Sequence, residues 1–231
     1  MSLPGDDREH FTAALTRLSV ARRHDSLCSP FVSAVGVSGA VISTLGEPLG
    51  SQTVCASSLT AARIDEIQID LGEGPCWDAA RTRRPVLEPD LQRGGKEWPG
   101  AREAFRSLEI GSLYAFPLYV GHLSVGAVDL YSDEPRRLRD SDVDDIRVLA
   151  AIAARHLLKR ALEDIDTAEQ GMDDGPHSRR EMHQASGMVA AQLRVGVNEA
   201  LLVIRARAFS SGRSVSEVAA DVIARRLTFE P

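Results

Sequence analysis

The last 55 residues, 177–231, carry eight arginines (Arg179, Arg180, Arg194, Arg205, Arg207, Arg213, Arg225 and Arg226), no lysine and five acidic residues. That leaves residues 1–176 with 19 of the 27 Lys and Arg and 28 of the 33 Asp and Glu, so the overall charge of −6 conceals a cationic tail. The planar guanidinium fork suits bidentate contact with phosphate or a guanine edge. The tail is therefore where this chain could hold a nucleic acid; the bland alternative is a solvated helix surface. Its only aromatics are Phe209 and Phe229, too few for base stacking as the main mode. Phosphate clamping, with a loop edge read by arginine and polar side chains, fits better. The candidate contacts are Arg205, Arg213 and Ser214, followed by Gln184 and Ser186.

Other chemistry is sparse. There is no G-x-x-x-x-G-K-[ST], no G-x-S-x-G and no H-E-x-x-H, which removes the phosphate loop, the nucleophile elbow and the zinc-protease pattern. The six histidines, His10, His24, His122, His156, His177 and His183, do not pair at metal spacing. No catalytic residue and no metal are expected, and an enzyme is not. Cys28, Cys55 and Cys76 are odd in number, widely spaced and free of C-x-x-C. This predicts reduced thiols in a cytoplasmic protein and argues against a disulfide framework. Cys76 follows Gly72, Glu73, Gly74 and Pro75 at a helix start, and reads as a buried small hydrophobe or an activated thiol. No run approaches the ~18–20 apolar residues of a membrane span, and the acidic start MSLPGDDREH lacks a secretory core.

The elements that must position these residues follow from periodicity. With 43% hydrophobic, 26% charged and only 5% aromatic residues, the core must be built on Ala, Val, Leu and Ile. Apolar residues at Phe11, Ala14, Leu15, Leu18 and Ala21 predict a helix between Asp6 and Arg23. Short β-rich runs follow near 35–43, 51–57, 85–89, 113–120 and 123–132, the last two joined by Gly121-His122 as a two-residue hairpin loop. In the run 123–132, strict alternation puts Leu123, Val125, Ala127, Asp129 and Tyr131 on one face, with Val128 and Leu130 on the other. Helical pieces lie at 60–70, 75–83 and 98–108. Strands interleaved with short helices predict an α+β domain on an antiparallel sheet.

A helix of roughly 25–30 residues is predicted from Ser141, with Ser141 and Asp144 placed for capping and a stripe from Val143 to Ile165. Its length suggests pairing with the same helix of a second subunit. Residues 170–176 break it as a linker. Three helices follow, about 178–193, from Gly196 with Glu199 three residues on, and from Ser214 with Glu217 completing a capping box. A bundle this small gains from dimerisation.

The stretch from His183 to Arg226 resembles the ANTAR domain, an RNA-binding module of transcription antitermination regulators. The matching places are Ala185-Ser186-Gly187, Glu199-Ala200, Ile204-Arg205 and Val218-Ala219. Ser186 replaces the common Lys, Arg194 stands where Gly often ends the first helix, and Gly212 replaces a frequent Asn. The region from Phe31 to Ala168 is similar to a GAF domain, through LGEGPCWDA (71–79), RPV (84–86), Asp90-Leu91, Trp98-Pro99, FPL (116–118) and GAVDLYS (126–132). The expected organisation is an N-terminal helix in 1–30, a GAF-like domain over 31–168 including the long helix, a linker at 169–177, and an ANTAR-like domain over 178–231. The resemblance implies a signal-responsive homodimer binding a stem-loop of nascent RNA. No cofactor is expected beyond an unknown small ligand, its pocket lined by Cys55, Trp77, Trp98, Phe116 and Asp129. Two rival readings are a DNA-binding transcription factor and a ligand-sensing protein-interaction module.

Overall fold

The computed structural model describes residues 4–46, 49–93, 95–169, 177–211 and 213–229. The chain divides into two compact units, residues 1–169 and 170–231. The proposed linker at 170–176 and the departure at Gly212 lie outside the described residues.

The first unit is α+β. Five strands, β1 (Gly39–Thr44), β2 (Gln52–Ala56), β3 (Val86–Glu88), β4 (Ser112–Val120) and β5 (Leu123–Ser132), form one antiparallel sheet in the order β2-β1-β5-β4-β3. Helices α1 (Pro4–Ser19), α2 (Ser29–Val35) and α6 (Asp140–Glu169) form one layer. Helices α3 (Leu59–Leu71), α4 (Pro75–Thr82) and α5 (Pro99–Phe105) form the other. The main core lies under the first layer, where Tyr114, Phe116, Leu118, Val128 and Leu130 of the sheet meet Phe31 of α2 and Ile146, Leu149, Ala153 and Leu157 of α6. Covered on both faces, the central strands are buried along most of their length, as near-continuous apolar runs require.

Three expectations change. Residues 29–35, where no helix was expected, form α2: Pro30 sits in its first turn and Gly36, at φ 62°, ends it with an N–H bond to the Val32 carbonyl at 3.0 Å. The alternation on β5 fails at Val125. Leu118 pairs with Gly126 but Tyr119 pairs with Ser124, so Val125 is an extra residue, and this bulge turns Val125 and Leu123 into the α6-side core. Finally, the start of α6 is not capped by Ser141 and Asp144. Asp142, 2% exposed, accepts the Arg139 N–H at 3.2 Å and the Arg139 guanidinium at 2.6 Å; Asp144 instead pairs with Arg147.

The second unit packs α7 (His177–Leu193), α8 (Val197–Ser211) and α9 (Val215–Ile223) around Ala185, Val189, Ala200, Ile204, Ala208, Val218, Ala219 and Val222. Alanine at four of these places lets the helices approach closely. Glu199 accepts the Gly196 N–H at 3.1 Å, and Ser214 with Glu217 forms the capping box at α9. Among the described residues no helix is long and apolar enough to cross a membrane.

Candidate functional site

The arginines of the second unit fall into two groups. Arg213 donates to the Asp221 carboxylate at 2.7 Å and to the Glu217 carbonyl at 3.3 Å, and Arg226 donates to the other Asp221 oxygen at 2.7 Å. Those two guanidinium groups hold the Asp221 carboxyl below its ordinary range. By contrast Arg194, Arg207 and Arg225 are exposed, and among the described residues their guanidinium groups have no ion pair or hydrogen bond. Arg194 follows the last turn of α7 and Arg225 follows α9, both at φ 55°. This left-handed conformation normally goes to glycine, so each arginine is kept at some local cost. The side chains of Arg179 and Arg180 lie outside the described residues.

Of the five residues selected from sequence, Gln184 is exposed on α7 and Arg205 is half-buried on α8. Arg213 is accessible at 40% of its side chain although it is paired. Ser214 is half-buried and its hydroxyl accepts the Glu217 N–H at 3.2 Å, so its first role is the helix cap. Ser186 corrects the expectation outright. It is 3% exposed and its hydroxyl donates to the His183 carbonyl at 3.1 Å, facing the bundle core instead of a partner. The spacing that puts Ser186 beside the core residue Ala185 is the sequence signal that could have excluded it.

In the first unit the five proposed pocket residues do not form one lining, although Trp77 and Asp129 both meet Gln68. Phe116 and Cys55 belong to the α6-side core, Trp98 packs against Ile64, Phe105 and Tyr131, and Trp77 packs against Leu45, Cys76 and Ala127. Phe116 lines a cavity of about 100 Å³ between β4 and α6, well below the ~300 Å³ of ordinary ligand pockets. Cys55 is further corrected: it is joined to Cys28 by a disulfide, where reduced thiols were expected. The two cysteines are 27 residues apart, and only the pairing of β2 on β1 beside α2 brings their Cα atoms to 6.1 Å. Cys76 is free and buried.

A polar cluster that sequence reasoning missed lies under the α3–α4 layer. Gln68, fully buried, donates to Asp129, accepts the Cys76 N–H at 2.9 Å, and receives the Trp77 indole N–H on its backbone carbonyl at 2.7 Å. The LGEGPCWDA run is the turn that wraps this side chain. Gly72 ends α3 at φ 67°, and Gly74 opens α4 at φ 136°, where a Cβ would come within 2.5 Å of the Gln68 amide. Asp65, also buried, accepts from the Ser43 and Thr53 hydroxyls. Among the described residues the Oδ1 of Asp129 is buried with no partner. Burial, then the neighbouring Asp65 charge, pushes the Asp129 carboxyl well up, and burial likewise raises Asp65. A carboxyl raised in the folded state contributes its stability below the unfolded value near 4 and loses it as pH rises through the folded value. Asp129→Asn should therefore flatten the pH dependence. Urea unfolding followed by tryptophan fluorescence should find the variant matched to the parent or weaker near pH 4, then gaining on it by on the order of 1 kcal/mol or more toward pH 8. A parallel pair of pH profiles would exclude this role for Asp129.

Among the described residues no group of three or more His, Cys, Asp and Glu is placed to hold a metal ion. An antiparallel sheet between two helical layers, joined in one chain to a three-helix bundle with exposed arginines, defines a two-module protein. The chain belongs to the GAF domain family, whose model matches residues 25–157, and it also carries an ANTAR domain, matched at residues 174–223. Solved structures agree on the fold of the first unit. The GAF domain of an Acinetobacter phosphoenolpyruvate-protein phosphotransferase is 12% identical with a TM-score of 0.53, over 68% of this chain and 95% of that one. The GAF domain of the cyanobacteriochrome TePixJ is 16% identical with a TM-score of 0.50, over 63% and 95%. The chromophore-binding domain of the bacteriophytochrome RpBphP3 from R. palustris is 11% identical with a TM-score of 0.50, over 69% and 62%. No curated protein matches the chain.

Proposed function

We propose that this protein is a cytoplasmic, signal-responsive antitermination regulator that binds a paired stem-loop RNA as a homodimer, with the GAF domain as sensor of a small molecule. The observation that carries the reading is the set Arg194, Arg207 and Arg225, exposed and unpaired among the described residues of a bundle that matches the ANTAR model. Arg205, Arg213 and Gln184 are the further contacts; Ser214 orders the turn that presents Arg213. Duplex DNA fits less well. A recognition helix needs donors near its start, whereas the first turn of α9 carries Glu217 and otherwise small or apolar residues.

The homodimer reading rests on α6. Its outer face exposes Asp144, Val148, Ala151, Arg155 and Leu162 at the four- and three-residue positions of a coiled-coil seam, while Leu158, the remaining position, packs against the sheet-side core. Val148 is 46% and Leu162 54% exposed, although the opposite face of the helix already packs on the sheet. A second copy of this helix is the occupant whose pattern matches.

RNA binding is tested by titrating a two-hairpin RNA over a salt series. Replacing Arg194, Arg207 and Arg225 together by Gln should lower the slope of log K against log salt by about 2 and weaken binding at every salt concentration. A duplex DNA of equal length should bind more weakly than the RNA. Arg194→Gly separates a structural from a binding role: relieving the left-handed backbone should stabilise the bundle by about 0.5–1 kcal/mol while RNA affinity still falls. An unchanged slope in the triple variant, with the bundle folded, removes these arginines from the interface.

A further inference from the structure

We infer that the Cys28–Cys55 bridge is a reversible thiol–disulfide switch whose state is passed through the α1–α2 loop to the second half of α6. The inference rests on the cytoplasmic, RNA-binding reading in one respect: in a reducing compartment a disulfide is usually transient and redox-sensing.

The placement supplies the rest. Cys28 is fully buried in the main core at the start of α2, where its carbonyl receives the Phe31 N–H at 3.1 Å. Cys55 is half-buried on β2, the edge strand of the sheet, and is the side from which a reductant can approach. The loop leading into Cys28 is held by α6. Arg160 donates to the carbonyls of Arg22 at 2.8 Å and Asp25 at 3.1 Å, and Arg23 pairs with Glu163 at 3.6 Å. The bridge and these α6 contacts thus bracket one short segment, residues 22–28. Arg160 and Glu163 flank Leu162, the last described apolar residue of the outer seam. The third thiol does not compete, since Cys76 is buried in the opposite helical layer beside Leu45 and Ala127.

The chemistry balances with reagents of common class. A dithiol reductant attacks the Cys55 sulfur as a thiolate, and Cys28 leaves as a thiolate that takes up a proton. The reductant's second thiol then displaces Cys55 as a thiol, so the protein gains two electrons and two protons while the reductant becomes a disulfide. In the reverse direction, hydrogen peroxide oxidises the two thiols to the disulfide and is reduced to two molecules of water. Once reduced, the sulfurs withdraw from bonding distance, and the covalent tie between the start of α2 and β2 is released.

The test uses the full chain, reduced with dithiothreitol or thioredoxin and reoxidised with hydrogen peroxide. Alkylation after denaturation should count one thiol in the oxidised protein and three in the reduced protein, reversibly. Amide hydrogen exchange should accelerate at least tenfold on reduction in residues 20–35 and in α6 around 155–163. The Cys28→Ser, Cys55→Ser double variant should exchange like the reduced protein and ignore peroxide; Cys76→Ser should switch normally. Three thiols that never re-pair under peroxide, or exchange rates in α6 that are the same in both states, would overturn the switch. RNA titration of both states is a separate arm. Failure of both states to bind the two-hairpin RNA refutes the RNA reading, while the thiol count and exchange data still decide the switch.

Discussion

Gly126→Ala is expected to unfold the GAF domain or cost it about 4 kcal/mol or more, a loss comparable with the whole stability of many domains. Gly126 sits in β5 at φ 149°, directly beside the bulge at Val125. A Cβ there would run into the Ser43 carbonyl oxygen and lie 2.9 Å from the Thr44 Cα. Both are backbone atoms of the neighbouring strand β1, so no side chain can yield and the β1–β5 pairing itself must part. Gly121 is the control. It occupies the β4–β5 turn at φ 60° with open space around its Cα, so Gly121→Ala should cost only about 1 kcal/mol of backbone strain. Both tryptophans, Trp77 and Trp98, lie in this domain, so urea unfolding followed by tryptophan fluorescence reads it without interference from the bundle. Equal midpoints for the two variants would refute the steric argument.

The second large effect concerns the α6 seam. Val148→Glu with Leu162→Glu should convert the proposed dimer to monomer and weaken binding of a two-hairpin RNA by about 10²–10⁴-fold, because the second hairpin then loses its effective concentration. Both side chains are about half exposed, so the monomer should keep its fold, with a urea midpoint lowered only by the lost stabilisation of the dimer contact. Sedimentation equilibrium gives the mass and a titration gives the affinity. A variant that stays dimeric, or a monomer that keeps full affinity for the two-hairpin RNA, would contradict the arrangement. Binding of a single hairpin should change little. That difference separates lost avidity from damage to the arginine surface.

The two predictions draw on information of different kinds. The seam is half legible in the sequence: apolar steps of three and four announce a long helix, and its length suggests a partner. The inward stripe through Ile146, Leu149, Ala153 and Leu157 is buried as that pattern demands. The outward stripe becomes visible only when the sheet claims the first one. The glycine is legible only as part of a strand run. Its necessity comes from the approach of β1, more than 80 residues earlier in the chain, and from a bulge that a period-2 reading passes over.

The candidate site divides in the same way. That the tail is cationic and helical follows from its residue types. Which arginines are available does not, since Arg213 and Arg226 are drawn to Asp221 by the curvature of one turn and one helix end. Ser186 is misjudged from sequence because a residue next to the core face of a helix can turn inward, where its hydroxyl finds the His183 carbonyl. On the sensory side, strand and helix-start positions alone point to the aromatic and cysteine candidates, and the three-layer packing distributes them over separate apolar clusters.

By itself the amino-acid sequence determined what acts over a few residues: the caps at Gly196 and Ser214, the turn around Gly72 and Gly74, the hairpin at Gly121-His122, and the helical stripes. These depend on backbone conformations and hydrogen bonds that neighbours along the chain settle among themselves. Tertiary structure decided the Cys28–Cys55 bridge, the Gln68–Asp129 contact across 61 residues, and which arginines stay available. Each of these depends on the register of strands and the packing of layers, which bring distant residues together and fix which polar groups remain to face water.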